Sequence, residues 1–107
     1  MRIIARSTLR NFVSSLAGRK DQPAVAAAVA AWFAEVSRAA WQNSADVKRH
    51  YARASIVGAD RVVFNIKGND YRLIVSVDYH KELVWIKWIG THKAYDRINA
   101  AEVQHEK

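Results

Sequence analysis

At Ala54 the spacing of apolar residues changes from about 3.6 to about 2, which divides the chain into a helical half and a sheet half. Before that point, Leu9, Phe12, Val13 and Leu16 recur at three and four, the period of one helix face. Ser7 or Thr8 is placed to cap this predicted helix, which runs to about Ala17 and is stopped by Gly18. The apolar run "RIIA" ahead of it (2–5) is a candidate edge strand. A second helix is predicted to start near Pro23, whose fixed φ suits a first turn. Its stripe of Val25, Val29, Trp32, Phe33 and Val36 reads as core. Its other positions are largely alanine, which permits close approach of a second surface and makes a candidate partner face. A short third helix is predicted over 43–51, capped by Asn43 or Ser44. Its terminal Lys48, Arg49 and His50 complement the helix dipole, and Lys48 and Arg49 are equally candidates for RNA contact.

After Ala54, "RVVFNI" places Val62, Phe64 and Ile66 on one face and Arg61, Val63 and Asn65 on the other. "KGND" reads as a tight turn pivoting on Gly68-Asn69, so "YRLIVSVDY" should return antiparallel. A second turn at 80–82 leads into "LVWIKWIG", with Val84, Ile86 and Trp88 expected on one face and Trp85 and Lys87 on the other. Helices first and a meander afterwards predict an α+β fold, with N-terminal helices packed on one face of a curved, mainly antiparallel sheet. The 107 residues suffice for one domain spanning 1–107.

Composition bounds the chemistry. Cysteine is absent, which removes disulfides, thiolate catalysis and Cys-based zinc sites. The histidines at 50, 80, 92 and 105 show no HxxxH-type spacing, so neither a metal nor another cofactor is expected. The opening "MRIIARSTLR" lacks the apolar core of a signal peptide, and no apolar run is long enough for a membrane span. A reducing cytoplasm fits these features. Seventeen Lys and Arg face ten Asp and Glu, a net charge of +7 that favours a polyanionic partner, nucleic acid above all.

Two cations, Arg72 and Lys87, interrupt apolar strands, where a charge needs a partner or a wet surface. Pairing through the turn at 80–82 should bring residues near 72 opposite residues near 90, beside "GTHKAYDRI". One sheet edge would then collect Arg72, Lys87, His92, Lys93 and Tyr95, with Asp96 and Arg97 close by. That set suits RNA cleavage without a metal. The 2′-hydroxyl must lose a proton, the phosphorane carries extra negative charge, and the 5′-oxygen leaves better protonated. His92 or Tyr95 can move protons. Arg72 and Lys87 can stabilise the phosphorane, and Lys93 and Arg97 can hold the RNA backbone.

"RVVFNIKGNDYRLIV", followed after a strand by "WIGTHKAYDRI", resembles the HigB-type toxins of bacterial type II toxin–antitoxin systems, within the RelE/ParE-like superfamily. "RIIARSTLRNF" and "SADVKRHYARAS" fall in the order that resemblance requires. It implies a RelE-like fold and an endoribonuclease, an mRNA interferase that cuts mRNA on the translating ribosome. It also implies neutralisation by a helix-turn-helix, HigA-like antitoxin. Arg72, Lys87, His92 and Tyr95 are the positions it marks as active, and Arg61 and Lys67 those it marks as RNA contacts. The competing expectation is a non-catalytic or gyrase-directed ParE-like toxin, or a small basic RNA-binding module.

Overall fold

The computed structural model describes residues 1–103, which leaves His105 outside the described residues. The elements in chain order are β1 (Arg2–Ile4), α1 (Arg6–Ser15), α2 (Gln22–Arg38), α3 (Ser44–His50), β2 (Ser55–Val57), β3 (Arg61–Ile66), β4 (Tyr71–Asp78), β5 (Leu83–Thr91) and α4 (His92–Tyr95). The strands form one five-stranded sheet in the order β1-β5-β4-β3-β2. β1 runs parallel to β5 at one edge and the other pairings are antiparallel. The α+β reading and the edge strand at "RIIA" are both borne out.

The helices cover one face. Val25, Val29, Trp32 and Val36 of α2 are buried against Phe64, Leu73, Val75 and their neighbours. Trp32 meets Phe64 edge-on at 5.4 Å. Side chains of this size buried this completely contribute on the order of 2 kcal/mol each. The cap of α1 differs from expectation: the helix starts at Arg6 behind Ala5, without a side-chain cap, so Ser7 and Thr8 lie within its first turn. Asn43 does cap α3, accepting from the Asp46 amide at 3.1 Å.

The opposite face is also covered. Val63 and Ile74 are buried there under Ala100, with Trp88, Tyr95, Ile98 and Val103 packed around them. The chain after β5 therefore folds back across the sheet, where the sequence led us to expect helices on one face only. Short β2, which the sequence reading did not separate from its surroundings, pairs with the first half of β3.

β5 carries the second difference. β4 steps from Val75 to Ile74 while β5 steps from Ile86 to Trp88, so Lys87 is the extra residue of a β-bulge. A bulge resets the alternation beyond it. Trp88 pairs with Ile74 and joins the outer face, and Ile89 pairs with Leu73 and joins the helix face. Trp85, opposite Ser76, lies on the same side as Trp88, contrary to the simple alternation.

Candidate active site

The site begins at the turn between β3 and β4. Its left-handed residues are Lys67, at φ 52°, and Gly68, at φ 64°, one position earlier than the Gly68-Asn69 pivot read from the sequence. Glycine accepts that conformation freely, whereas lysine adopts it at a cost. The Lys67 ammonium pairs with Asp70 at 2.9 Å across the turn, which holds it closed and raises the lysine pKa. Asn69 is thereby presented to the start of β4. Its carbonyl accepts from Arg72 Nη1 at 2.9 Å and its Oδ1 accepts from Arg72 Nη2 at 2.7 Å. The planar guanidinium is gripped on two of its nitrogens.

Arg72 stands in a row with Asn65 of β3 and Gly90 of β5, the bulge at Lys87 having moved its partner one residue along β5. Gly90 is buried, and a Cβ on it would lie 2.5 Å from the Trp88 ring. The bare Cα lets the indole lie across the strand. Trp88 then packs on Tyr95 at 6.4 Å between ring centres. The Arg72 guanidinium carbon sits 5.8 Å from the centre of the Tyr95 ring, within cation–π range. Arg72, Tyr95 and Trp88 thus form one stack on the outer face.

His92 opens the short α4 beyond it. Thr91 caps this turn, its hydroxyl accepting from the Ala94 amide at 3.0 Å. The His92 amide donates to the Asp70 carbonyl at 2.9 Å, which ties α4 to the turn carrying Asn69. The imidazole is 44% exposed, with Nδ1 turned inward, 3.5 Å from the Asp96 carboxylate. That separation is an ion-pair approach and not a well-made hydrogen bond. Imidazole is the side-chain type that changes charge near neutrality.

A concavity of about 380 Å³ lies beside His92, lined by Arg19, Asp21, Asn69, Tyr71, Thr91 and Lys93 among others. Its acid is already engaged. Asp21 accepts from Arg19 Nε at 3.0 Å and from the Tyr71 hydroxyl at 2.6 Å. The guanidinium, then the phenol, pulls its pKa down to about 2. Burial pushes the Tyr71 phenol up, so it stays a donor. Asp21 is therefore a fixed anion joining the α1–α2 turn to β4, unsuited to accept a proton at neutral pH. A second concavity, about 440 Å³ between α1 and α2, is lined by Leu9, Val29, Phe33 and alanines, with Arg6 and Arg10 as its cations. It holds no proton-transfer group.

Among the candidates from sequence, the structure brings Arg72 and Tyr95 into contact and links His92 to them through Asn69 and Asp70. Lys93 lines the concavity and Arg97 follows α4 exposed. Lys87 sits partly buried at the bulge and is engaged in the fold. Lys48 spends its ammonium on the Ala52 and Ala54 carbonyls at 2.8 and 2.6 Å. Arg49 pairs with Asp46 and remains largely in solvent. Arg61 departs furthest from expectation. It is only 5% exposed, and its guanidinium donates to the Ala100 and Val103 carbonyls at 3.2 and 2.5 Å. It clasps the returning C-terminal segment and offers no surface to RNA. Asn69 was missed, although an Asn directly after a turn glycine and three residues before an arginine was a usable signal.

Among the described residues no group of three His, Asp or Glu is placed to hold a metal. No described helix is long and apolar enough to cross a membrane. A family model for HigB_toxin, the RelE-like toxic component of a toxin–antitoxin system, matches residues 25–98, more than half of the chain. That span runs through α2 to α4 and contains Arg72, Lys87, His92 and Tyr95. No curated protein matches the chain.

Proposed function

The chain belongs to the HigB family of RelE-like toxins, whose systems pair a toxin with a cognate antitoxin, and from that premise we propose that it is a metal-independent endoribonuclease of mRNA. The observation that carries the reading is Arg72, held twice by Asn69 in the row that ends at Gly90, two residues before His92. A guanidinium so fixed is organised for an anion that develops during reaction, which is where electrostatic catalysis acts.

In this reading His92 and Tyr95 handle the two protons. One removes the 2′-hydroxyl proton as the 2′-oxygen attacks phosphorus, and the other protonates the departing 5′-oxygen. The phosphorus–5′-oxygen bond breaks, leaving a 2′,3′-cyclic phosphate on one fragment and a 5′-hydroxyl on the other. Arg72 and Lys87 face the phosphorane oxygens. Lys93, Arg97, Lys67 and Arg49 supply attraction for the RNA backbone, a contribution that weakens with salt. The substrate is mRNA on the translating ribosome in the cytoplasm, and the antitoxin is a helix-turn-helix protein.

Induced expression without antitoxin tests this. Growth should arrest, and mRNA fragments should appear with 5′-hydroxyl ends. Intact transcripts beside arrested DNA replication would support a gyrase-directed toxin instead.

A further inference from the structure

The ladder between β2 and β3 ends at Ser55 opposite Val63, so Phe64 to Ile66 have no strand on that side. The chain from His50 to Ala54 passes along this open edge. Between them lies a cavity of about 360 Å³ lined by His50, Tyr51, Arg53, Phe64, Asn65 and Gly68. Its wall is aromatic and braced. The His50 and Tyr51 rings lie 4.5 Å apart at 36°, and Trp41 meets His50 edge-on at 5.8 Å. The Tyr51 hydroxyl donates to Glu35, which fixes the ring, and the ring also meets Phe64 at 5.1 Å. Arg53 is exposed at the rim, and the Asn65 carboxamide is committed to no other described residue.

Asn65 is the cross-strand neighbour of Arg72. Neighbouring strands stand about 4.8 Å apart, so the cavity opens one strand away from the arginine assigned to the scissile phosphate. A flat ring with mixed donors and acceptors on its edge, attached to an anionic backbone, matches this lining better than other ligands. A simple anion has no use for the aromatic wall, and an apolar peptide leaves the Asn65 amide and Arg53 unmatched. Aromatic faces accept any base, whereas a carboxamide, with one donor and one acceptor side, distinguishes base edges.

We propose that this cavity is a base-recognition subsite, which takes the base of a nucleotide flanking the scissile phosphate and sets the sequence preference of cutting. Stacking on the His50–Tyr51 wall supplies affinity, Asn65 reads the base edge and Arg53 holds the adjoining phosphate. The proposal rests on the ribonuclease reading for the identity of the polymer.

The test uses the full chain carrying His92→Gln, titrated with a short single-stranded RNA and with each nucleoside monophosphate, followed by amide-resolved NMR. Shifts should concentrate on residues 50–54 and on the Asn65 side-chain amide. Arg53→Ala and Asn65→Ala should each weaken RNA binding roughly tenfold. In the otherwise wild-type chain, Asn65→Ala and the near-isosteric Asn65→Asp should alter the base preferred beside the cut. They should raise KM about tenfold and move kcat by no more than about threefold. RNA that fills the cavity of a protein whose wild-type form never cuts RNA would uphold base recognition by the cavity but overturn its role in cutting together with the ribonuclease reading. Cleavage with an unchanged base preference in both folded Asn65 variants would overturn the subsite and leave the ribonuclease reading standing. Shifts confined to α4 and Arg72 would overturn it as well.

Discussion

Asn69 holds Arg72 by two guanidinium nitrogens, its backbone carbonyl accepting from Nη1 at 2.9 Å and its Oδ1 from Nη2 at 2.7 Å. Only the second of these bonds is lost on substitution. Asn69→Ala should therefore lower kcat about 10- to 100-fold with KM little changed, because the loosened guanidinium no longer meets the phosphorane in place. Asn69→Asp keeps an acceptor at the same reach and should restore most of the rate. Steady-state cleavage kinetics decide the point, and equal losses in both variants would show that Asn69 does not act by orienting Arg72.

Gly90 gives the stack its room. A methyl group there meets the Trp88 ring at 2.5 Å, and the ring lies against Tyr95. Gly90→Ala should destabilise the fold by about 1–3 kcal/mol through overpacking. It should also change the near-ultraviolet circular dichroism of Trp88. Chemical denaturation and the dichroism spectrum measure the two effects. Wild-type values for both would mean that Trp88 can leave the strand without cost.

Acid should weaken the link between α1–α2 and β4. Asp21 has a folded pKa of about 2, below its ordinary carboxylate value, because Arg19 and Tyr71 favour the charged form. A depressed carboxylate pKa adds stability above the unfolded value, near 4, and that stability is lost as pH falls toward 2. The stability gap between wild type and Asp21→Asn should thus be constant above about pH 5 and shrink between about pH 4 and 2. Denaturant unfolding across that window measures it, and a gap independent of pH would refute the assignment.

Arg61 should behave as a structural residue. Removing its side chain leaves the Ala100 and Val103 carbonyls without their donor. Arg61→Met should cost about 2 kcal/mol, and proteolysis after residue 96 should speed up. The salt dependence of RNA binding should not change, whereas a shallower salt slope would return Arg61 to the RNA surface.

Arg61 also shows where sequence and structure part. The alternation in "RVVFNI" placed it correctly opposite Val62, Phe64 and Ile66. What alternation cannot show is whether the second face meets water, and here the chain after β5 returns to cover it. Trp88 was misplaced for a related reason. Strict period 2 assumes an unbroken ladder, and the bulge at Lys87 inserts a residue. The change of apolar spacing in "VWIKWI", two from Val84 to Ile86 and then three to Ile89, is the trace it left. The neighbourhood of Arg72 and the end of β5 was legible because turn length fixes register in a hairpin, while the exact partner, Gly90 in place of Ile89, depends on the bulge. Asn69 left only its place after a turn glycine as a trace, because its part in the site depends on a turn whose left-handed residues fall at Lys67 and Gly68.

His92 is assigned to move a proton during RNA cleavage, and single-turnover cutting at saturating enzyme is the sharpest test of that role. His92→Gln keeps a hydrogen-bonding side chain of similar reach but removes the imidazole that would carry the proton. The cleavage rate should fall about 10²–10⁴-fold, while thermal melting and affinity for RNA stay close to wild type. A His92→Gln protein that folds, binds RNA and cuts at the wild-type rate would contradict the account and pass the proton-transfer role to Tyr95 and Lys87.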